Sequence, residues 1–184
     1  NRKGVKQMGG VATFVMNEVK ANTLKVKEGE DDEEYLIIRL DHVNPPINII
    51  NVYCGQESRM SRQQILSSWT QLRKEIKEIE DRDKGVVVIG DLNRAVGLGK
   101  LGVDGNHPHV SYGGDLVREL LEDERYILLN NSAVAEGGPW TWMSRADQTV
   151  ISCLDLCILS ANFMPYATKM LVDIQHKYCP KKSS

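Results

Sequence analysis

Apolar residues fall along this chain in short runs, separated by Gly, Pro, Asn and acidic residues, with one longer periodic stretch. Residues 11–16 (VATFVM), 34–41 (EYLIIRLD) and 47–53 (INIINVY) are short, rich in β-branched side chains and bounded by breakers, which predicts three strands. The acidic run from Glu28 to Glu34, between the first two, reads as a solvated hairpin loop. The longer stretch, SRQQILSSWTQLRKEIKEIEDRD, places Ile65, Trp69, Leu72, Ile76 and Ile79 at steps of three and four, one face of a helix. Ser61 suits its N-cap, and Trp69 reads as core packing. Residues 86–91 (VVVIGD) follow as an apolar strand of the kind buried on both faces.

A glycine-rich loop is expected over residues 95–114, then a short helix in DLVRELLEDE (115–124). Strands are predicted in YILLNN (126–131), PWTWMS (139–144), SCLDLCILS (152–160) and ATKMLVDIQ (167–175). Strands dominate and two helices interrupt them. This order predicts an α/β sandwich in which two mixed sheets face each other with helices outside, as one domain over residues 1–184.

Composition narrows the class. The chain has 184 residues, 41% apolar and 26% charged, with a net charge of −2, the balance of an ordinary globular protein. Nothing in the sum advertises nucleic-acid binding, although one basic groove would not show in it. No apolar run approaches the ~20 residues of a membrane span, so no membrane association is expected. The opening NRKGVKQMGG has no apolar core and does not read as a signal peptide; without an initiator Met, it implies a native start elsewhere. Cys54, Cys153, Cys157 and Cys179 form no CxxC pair and have no His-rich partner. They read as reduced, mostly buried thiols of an intracellular protein, nuclear or cytoplasmic, rather than disulfides or zinc ligands.

Two patterns invite chemistry. Gly97, Gly99 and Gly102 match GxGxxG, but the residues that follow, VDGNHPHVS, are loop-forming, and the dinucleotide motif needs a helix there. A surface loop is the better reading. Asp91 and Asn93 end the strand VVVIGDLN, and alternation puts i and i+2 on one side of a strand. The pair could take a proton from water and donate to a phosphate oxygen; taken alone, it also reads as an ordinary turn. It does not stand alone. Tyr53 ends another apolar strand, Thr141 lies between two tryptophans, and Asp155 has apolar neighbours on both sides, where a carboxylate is costly unless paired or used. Polar residues at several strand ends on one rim are how a shallow phosphate-processing site is built.

INVYCGQES, VVVIGDLN, GPWTWMS and CLDLCILS, in this order, resemble the motifs of the endonuclease/exonuclease/phosphatase superfamily, the DNase I-like enzymes, from Gly9 to about Asp173. The TW pair and the GG…LVRELL helix look most like apurinic-type endonuclease domains of non-LTR (LINE-type) retrotransposons. The resemblance implies a four-layer sandwich and a hydrolase that nicks DNA with Mg²⁺ or Mn²⁺. Asp91 would be the general base, Asn93 would bind the scissile phosphate, and Tyr53 would donate to a non-bridging oxygen. Thr141 would support the site, and Asp155 would pair with a histidine. Gln56, where the apurinic enzymes often carry Asn, and Trp142 would contact substrate.

The resemblance also marks departures. The family's upstream Asn and metal-binding Glu would precede GGVATFV, and its Asp-His dyad would follow a final Ser, where this chain ends at KKSS. Glu18 and the Glu28–Glu34 run read as loop and not as replacements for that Glu, and His176 reads as a strand-edge residue. The domain is thus expected to be incomplete at both ends, its metal ligand unknown beyond the nearness of Asp91, and its catalysis crippled, since loss of a general acid or base costs ~10² to 10⁴ in rate. Three functions compete. One is the endonuclease domain of a retroelement polyprotein. Another is a phosphatase of the same fold. The third is a degenerate, domesticated module that binds proteins, with a partner covering its exposed sheet edges.

Overall fold

The computed structural model describes residues 11–15, 22–28, 34–83, 85–97, 110–137, 141–143 and 151–172. Its centre is a six-stranded mixed sheet in the order β1-β2-β3-β4-β9-β5. The strands are β1 (Asn22–Glu28), β2 (Glu34–Leu40), β3 (Ile47–Tyr53), β4 (Val86–Asp91), β5 (Tyr126–Leu128) and β9 (Asp155–Ser160). Within this sheet, among the described residues, only the β3–β4 pair is parallel, and helix α1 (Arg62–Asp83) makes its crossover. Two small ribbons complete the β structure. One is β6 (Ala135–Gly137) with β10 (Met170–Val172), parallel; the other is β7 (Trp142–Met143) with β8 (Ile151–Ser152), antiparallel.

Helix α1 starts where the sequence places its cap. Ser61 Oγ accepts from the Gln64 backbone N–H at 3.3 Å, and Gln64 Oε1 accepts from the Ser61 N–H at 2.9 Å, a reciprocal capping box. The expected stripe, Ile65, Trp69, Leu72, Ile76 and Ile79, is buried against Tyr35, Ile37, Ile50, Val52, Val86, Val88, Leu156 and Ile158. Each such side chain contributes roughly 1.5–3 kcal/mol through area removed from water. Helix α2 (Tyr112–Leu121) packs beside it, capped by Ser111, whose Oγ accepts from the Gly114 N–H at 3.1 Å. Gly113 and Gly114 let the chain after β4 press on this first turn: a Cβ on Gly114 would lie 1.8 Å from the Ala95 carbonyl oxygen.

The other face of the sheet is covered unevenly. Leu129, Cys157, Leu159 and Phe163 form a second cluster there, with Ile47, Val87 and Met170 against it. Ile89, on the same face as Val87, is 42% exposed. The strand VVVIGD is therefore fully buried on the α1 side only, and the expectation of burial on both faces fails at Ile89.

Several sequence expectations are corrected. Residues 11–15 form no strand; the outer edge of β2 is taken by β1, a strand the acidic loop reading concealed. Asn51 instead ties the segment down, donating to the Ala12 carbonyl at 2.9 Å and to Thr13 Oγ1 at 3.1 Å, while Phe14 is 95% exposed. Glu34 opens β2, where the strand reading of residues 34–41 put it, and Glu28 closes β1, so the two ends of the Glu28–Glu34 run are strand and not loop. YILLNN turns from strand into a 3-10 turn at Leu129–Asn131. SCLDLCILS splits into β8 and β9 around Cys153 and Leu154. Asp155 is exposed, so the burial cost argued from its apolar neighbours does not arise. Of PWTWMS, residues 141–143 are described, with a strand at Trp142–Met143, and ATKMLVDIQ is described only to Val172, with its strand at Met170–Val172. Residues 98–102 of the glycine motif, Glu18, His176, Cys179 and Ser184 lie outside the described residues.

Candidate active site

The sheet's register brings the sequence-nominated residues together. Tyr53 pairs with Asp91 across β3 and β4, Asp91 pairs with Asp155 across β4 and β9, and Glu34 pairs with Tyr53 across β2 and β3. Glu34, Tyr53, Asp91 and Asp155 thus form one cross-strand row at the end of the sheet. A cleft of about 430 Å³ opens beside it, lined by Gln56, Glu57, Ser58, Asp91, Asn93, Thr141, Leu154 and Asp155. Tyr53 stands in the row but is not among these lining residues. Trp142 is not among them either; its backbone is in β7 and its side chain lies outside the described set.

The turn after β4 is built from its own side chains. Asp91 Oδ1 accepts from the Asn93 N–H at 3.0 Å, and Asn93 takes a left-handed φ of 48°, which Asn tolerates better than most residues. The Asn93 carboxamide donates to the Cys54 carbonyl at 2.7 Å, tying this turn to the end of β3. Two hydrogens sit on that nitrogen, and this bond commits one. The turn reading of Asp91 and Asn93 holds, and the same turn places both residues on the lining of the cleft. Gly90 makes it possible, at φ +142° with the Val52 carbonyl oxygen 2.0 Å from where a Cβ would be.

Arg94 braces the turn from below. Its guanidinium is buried and donates to the Gly55 carbonyl at 2.9 Å and the Asn93 carbonyl at 3.3 Å. Its Nε lies 3.9 Å from Glu57 Oε1. That carboxylate also accepts from Ser111 Oγ and from the Gly113 N–H at 3.1 Å, at the N-terminus of α2 where negative charge is favoured. Sequence reading missed Arg94, Glu57 and Asn130; the first two sit directly beside the nominated Asn93 and Gln56, which was the available signal.

Across the cleft, Thr141 Oγ1 accepts two backbone bonds, from the Leu154 N–H and the Asp155 N–H, each at 3.0 Å. It fixes the chain where β9 begins. Asp91 is half-buried, and its carboxyl is held above the usual range, first by desolvation and then by the negative charge of Asp155; the Asn93 N–H works against this. A carboxylate made more basic in this way is suited to accept a proton. Cys153, behind the cleft, is a buried thiol pushed up to about 11 by burial and by Asp155.

Among the described residues no group of three or more His, Cys, Asp and Glu is placed to hold a metal ion. Asp91 and Asp155 are two carboxylates without a third ligand of that kind, and so do not by themselves form a metal centre. Among the described residues no helix is long and apolar enough to cross a membrane. Cys54, Cys153 and Cys157 are buried thiols.

No protein-family model matches the chain. No curated protein sequence matches it either. Solved structures do. A 3'-5' exonuclease, NExo, from Neisseria meningitidis superposes with a TM-score of 0.60 at 18% identity, over 88% of this chain and 68% of that one. A variant of NExo, described as a 3' phosphatase and bound to a product DNA hairpin, superposes with a TM-score of 0.53 at 18% identity, over 78% of this chain and 60% of its own. A mixed sheet flanked by helices, with the polar row at its end, thus gives this chain the DNase I-like α/β fold that it shares with the Neisseria exonuclease.

Proposed function

We propose that the cleft hydrolyses phosphodiester bonds in DNA, and that the chain is the endonuclease domain of a retroelement polyprotein or a host-domesticated derivative of one. The observation that carries the chemistry is the opposed pair Asp91 and Asp155, one of them raised in basicity, at the mouth of a cleft lined with amide and hydroxyl groups. In this reading a water attacks phosphorus in line while Asp91 takes its proton. The P–O bond to the leaving oxygen breaks, and that oxygen is protonated from solvent. Asn93 and Tyr53 donate to non-bridging oxygens as charge gathers on them. Thr141 holds the backbone that carries Asp155, and Gln56 and Trp142 flank the substrate. The family resemblance adds Mg²⁺ or Mn²⁺. The TW pair and the GG…LVRELL helix support the retroelement assignment, and the DNA hairpin bound by the phosphatase form of NExo supports DNA as the partner.

Nicking of supercoiled plasmid tests this, using full-length protein with Mg²⁺, with Mn²⁺ and with EDTA, beside Asp91→Ala and Asp155→Ala. Metal-dependent nicking lost in both variants supports the proposal. Equal nicking by all three proteins refutes the roles given to the carboxylates. Release of phosphate from a 3'-phosphorylated oligonucleotide without nicking turns the reading to a phosphatase. DNA binding with neither reaction turns it to a binding module.

A further inference from the structure

Both backbone polar groups of Asp155, its N–H and its C=O, are held by side chains. Its N–H is taken by Thr141. Its carbonyl oxygen accepts from Asn130 Nδ2 at 3.0 Å, while Asn130 Oδ1 accepts from the Cys157 N–H at 2.8 Å. Asn130 sits in the 3-10 turn after β5, beyond the last β5–β9 pair, Leu128 with Ile158. At this point, among the described residues, β9 has β4 on one side and no strand on the other. In a parallel ladder, one residue donates to position j−1 of its neighbour and accepts from j+1. The carboxamide of Asn130 does this around Leu156, bonding Asp155 and Cys157 as a peptide of an added strand would. The same Nδ2 also lies 3.4 Å from Cys153 Sγ.

We propose that Asn130 is a positioning residue for Asp155: its carboxamide replaces a missing strand at the edge of β9 and, with Thr141, fixes the orientation of Asp155 opposite Asp91. The inference rests on the nuclease reading of the cleft. A side-chain amide is suited to this place because it carries the donor and the acceptor of a peptide group while letting the backbone turn away into the 3-10 segment. The chain can then leave the sheet at Leu128 without freeing the start of β9, where the site needs a fixed carboxylate.

Two substitutions separate the bonds. Asn130→Ala removes both. Asn130→Asp keeps the acceptor for Cys157 but loses the donor to Asp155. Amide exchange followed by NMR is expected to rise by about tenfold at Cys157 in Asn130→Ala, to stay near wild type there in Asn130→Asp, and to stay unchanged at Leu159 in both. In the nicking assay both variants are expected to lose about tenfold in kcat with KM within about twofold. In an Asp155→Asn background, Asn130→Ala is expected to cost less than about twofold more, since a residue acting through Asp155 has nothing left to position. Full losses in that background, or a kcat that follows the Cys157 exchange instead of the bond to Asp155, overturn the proposal as a merely structural effect. Unchanged Cys157 exchange in Asn130→Ala overturns the anchoring itself. If the wild-type protein cuts no phosphodiester, the nuclease reading falls and takes the catalytic part with it, while the exchange measurement still decides whether Asn130 holds β9.

Discussion

Asp91 and Asp155 face each other as an antiparallel pair across β4 and β9, and the charge of the second helps to hold the carboxyl of the first above its usual range. Removing that charge lowers the Asp91 pKa. In the nicking assay, the acid limb of the pH–rate profile, where Asp91 becomes protonated, is therefore expected to move to lower pH in Asp155→Asn. The maximal rate is expected to fall at the same time. A limb that stays in place would remove Asp91 from the proton transfer.

The same shift has a cost in stability, and its sign is fixed. The folded-state pKa of Asp91 is raised above the unfolded value, so the native state binds the proton more tightly. Stability from this group is fully present below the unfolded pKa near 3.8 and is lost as pH rises through the raised folded value. Asp91→Asn keeps the acceptor for the Asn93 N–H and removes the charge. Its Tm is expected to exceed wild type at pH 7, and the gain should vanish in scans run below pH 3.8. A variant less stable at pH 7 would contradict this.

Gly90 has no tolerated substitute. An alanine there meets both a φ of +142° and the Val52 carbonyl oxygen at 2.0 Å, in the strand that ends on Asp91. Gly90→Ala is expected to lose about 2–4 kcal/mol in denaturant unfolding, or to fail to fold. A loss under about 0.5 kcal/mol would show that β4 and β3 can separate freely at this point.

Cys153 and Cys157 are buried and both thiols are pushed up to about 11, Cys157 by burial alone. The thiolate is the reactive form, so alkylation by iodoacetamide at pH 8 should be slow at both in the folded protein and fast once urea unfolds it. Peptide mass spectrometry gives the rate at each site. Fast labelling of Cys153 with the fold intact would mean that the start of β9 opens.

What the sequence displayed and what it hid follow from the range of the interactions. Local periodicity marked α1, its cap and its buried face, because a helix is built from contacts a few residues apart. The ends of β3 and β4 were legible because breakers follow apolar runs. The strand Asn22–Glu28 was not, since its Leu24 and Val26 alternate weakly among lysines and its partner β2 lies across a charged loop. Asp155 was noticed for the wrong reason: its apolar neighbours suggested burial, but the register places it at an exposed strand end. Asn130 could not be read at all, and Thr141 was legible as a polar residue of its motif but not as a clamp on the backbone of β9. Their bonds go to the backbone of residues 13 to 27 positions away, and backbone partners leave no mark on composition.

Glu57 joins Arg94, Ser111 and Gly113 in one arrangement that ties the loops after β3 and β4 to helix α2. Its neighbours Gln56 and Ser58 are exposed and also line the cleft. Evolution is therefore offered an unequal choice within three consecutive residues. The middle one can change only with the brace beneath it, whereas the two beside it are at liberty to vary, so the rim of the cleft can be remade there while the turn that carries Asp91 and Asn93 is inherited intact.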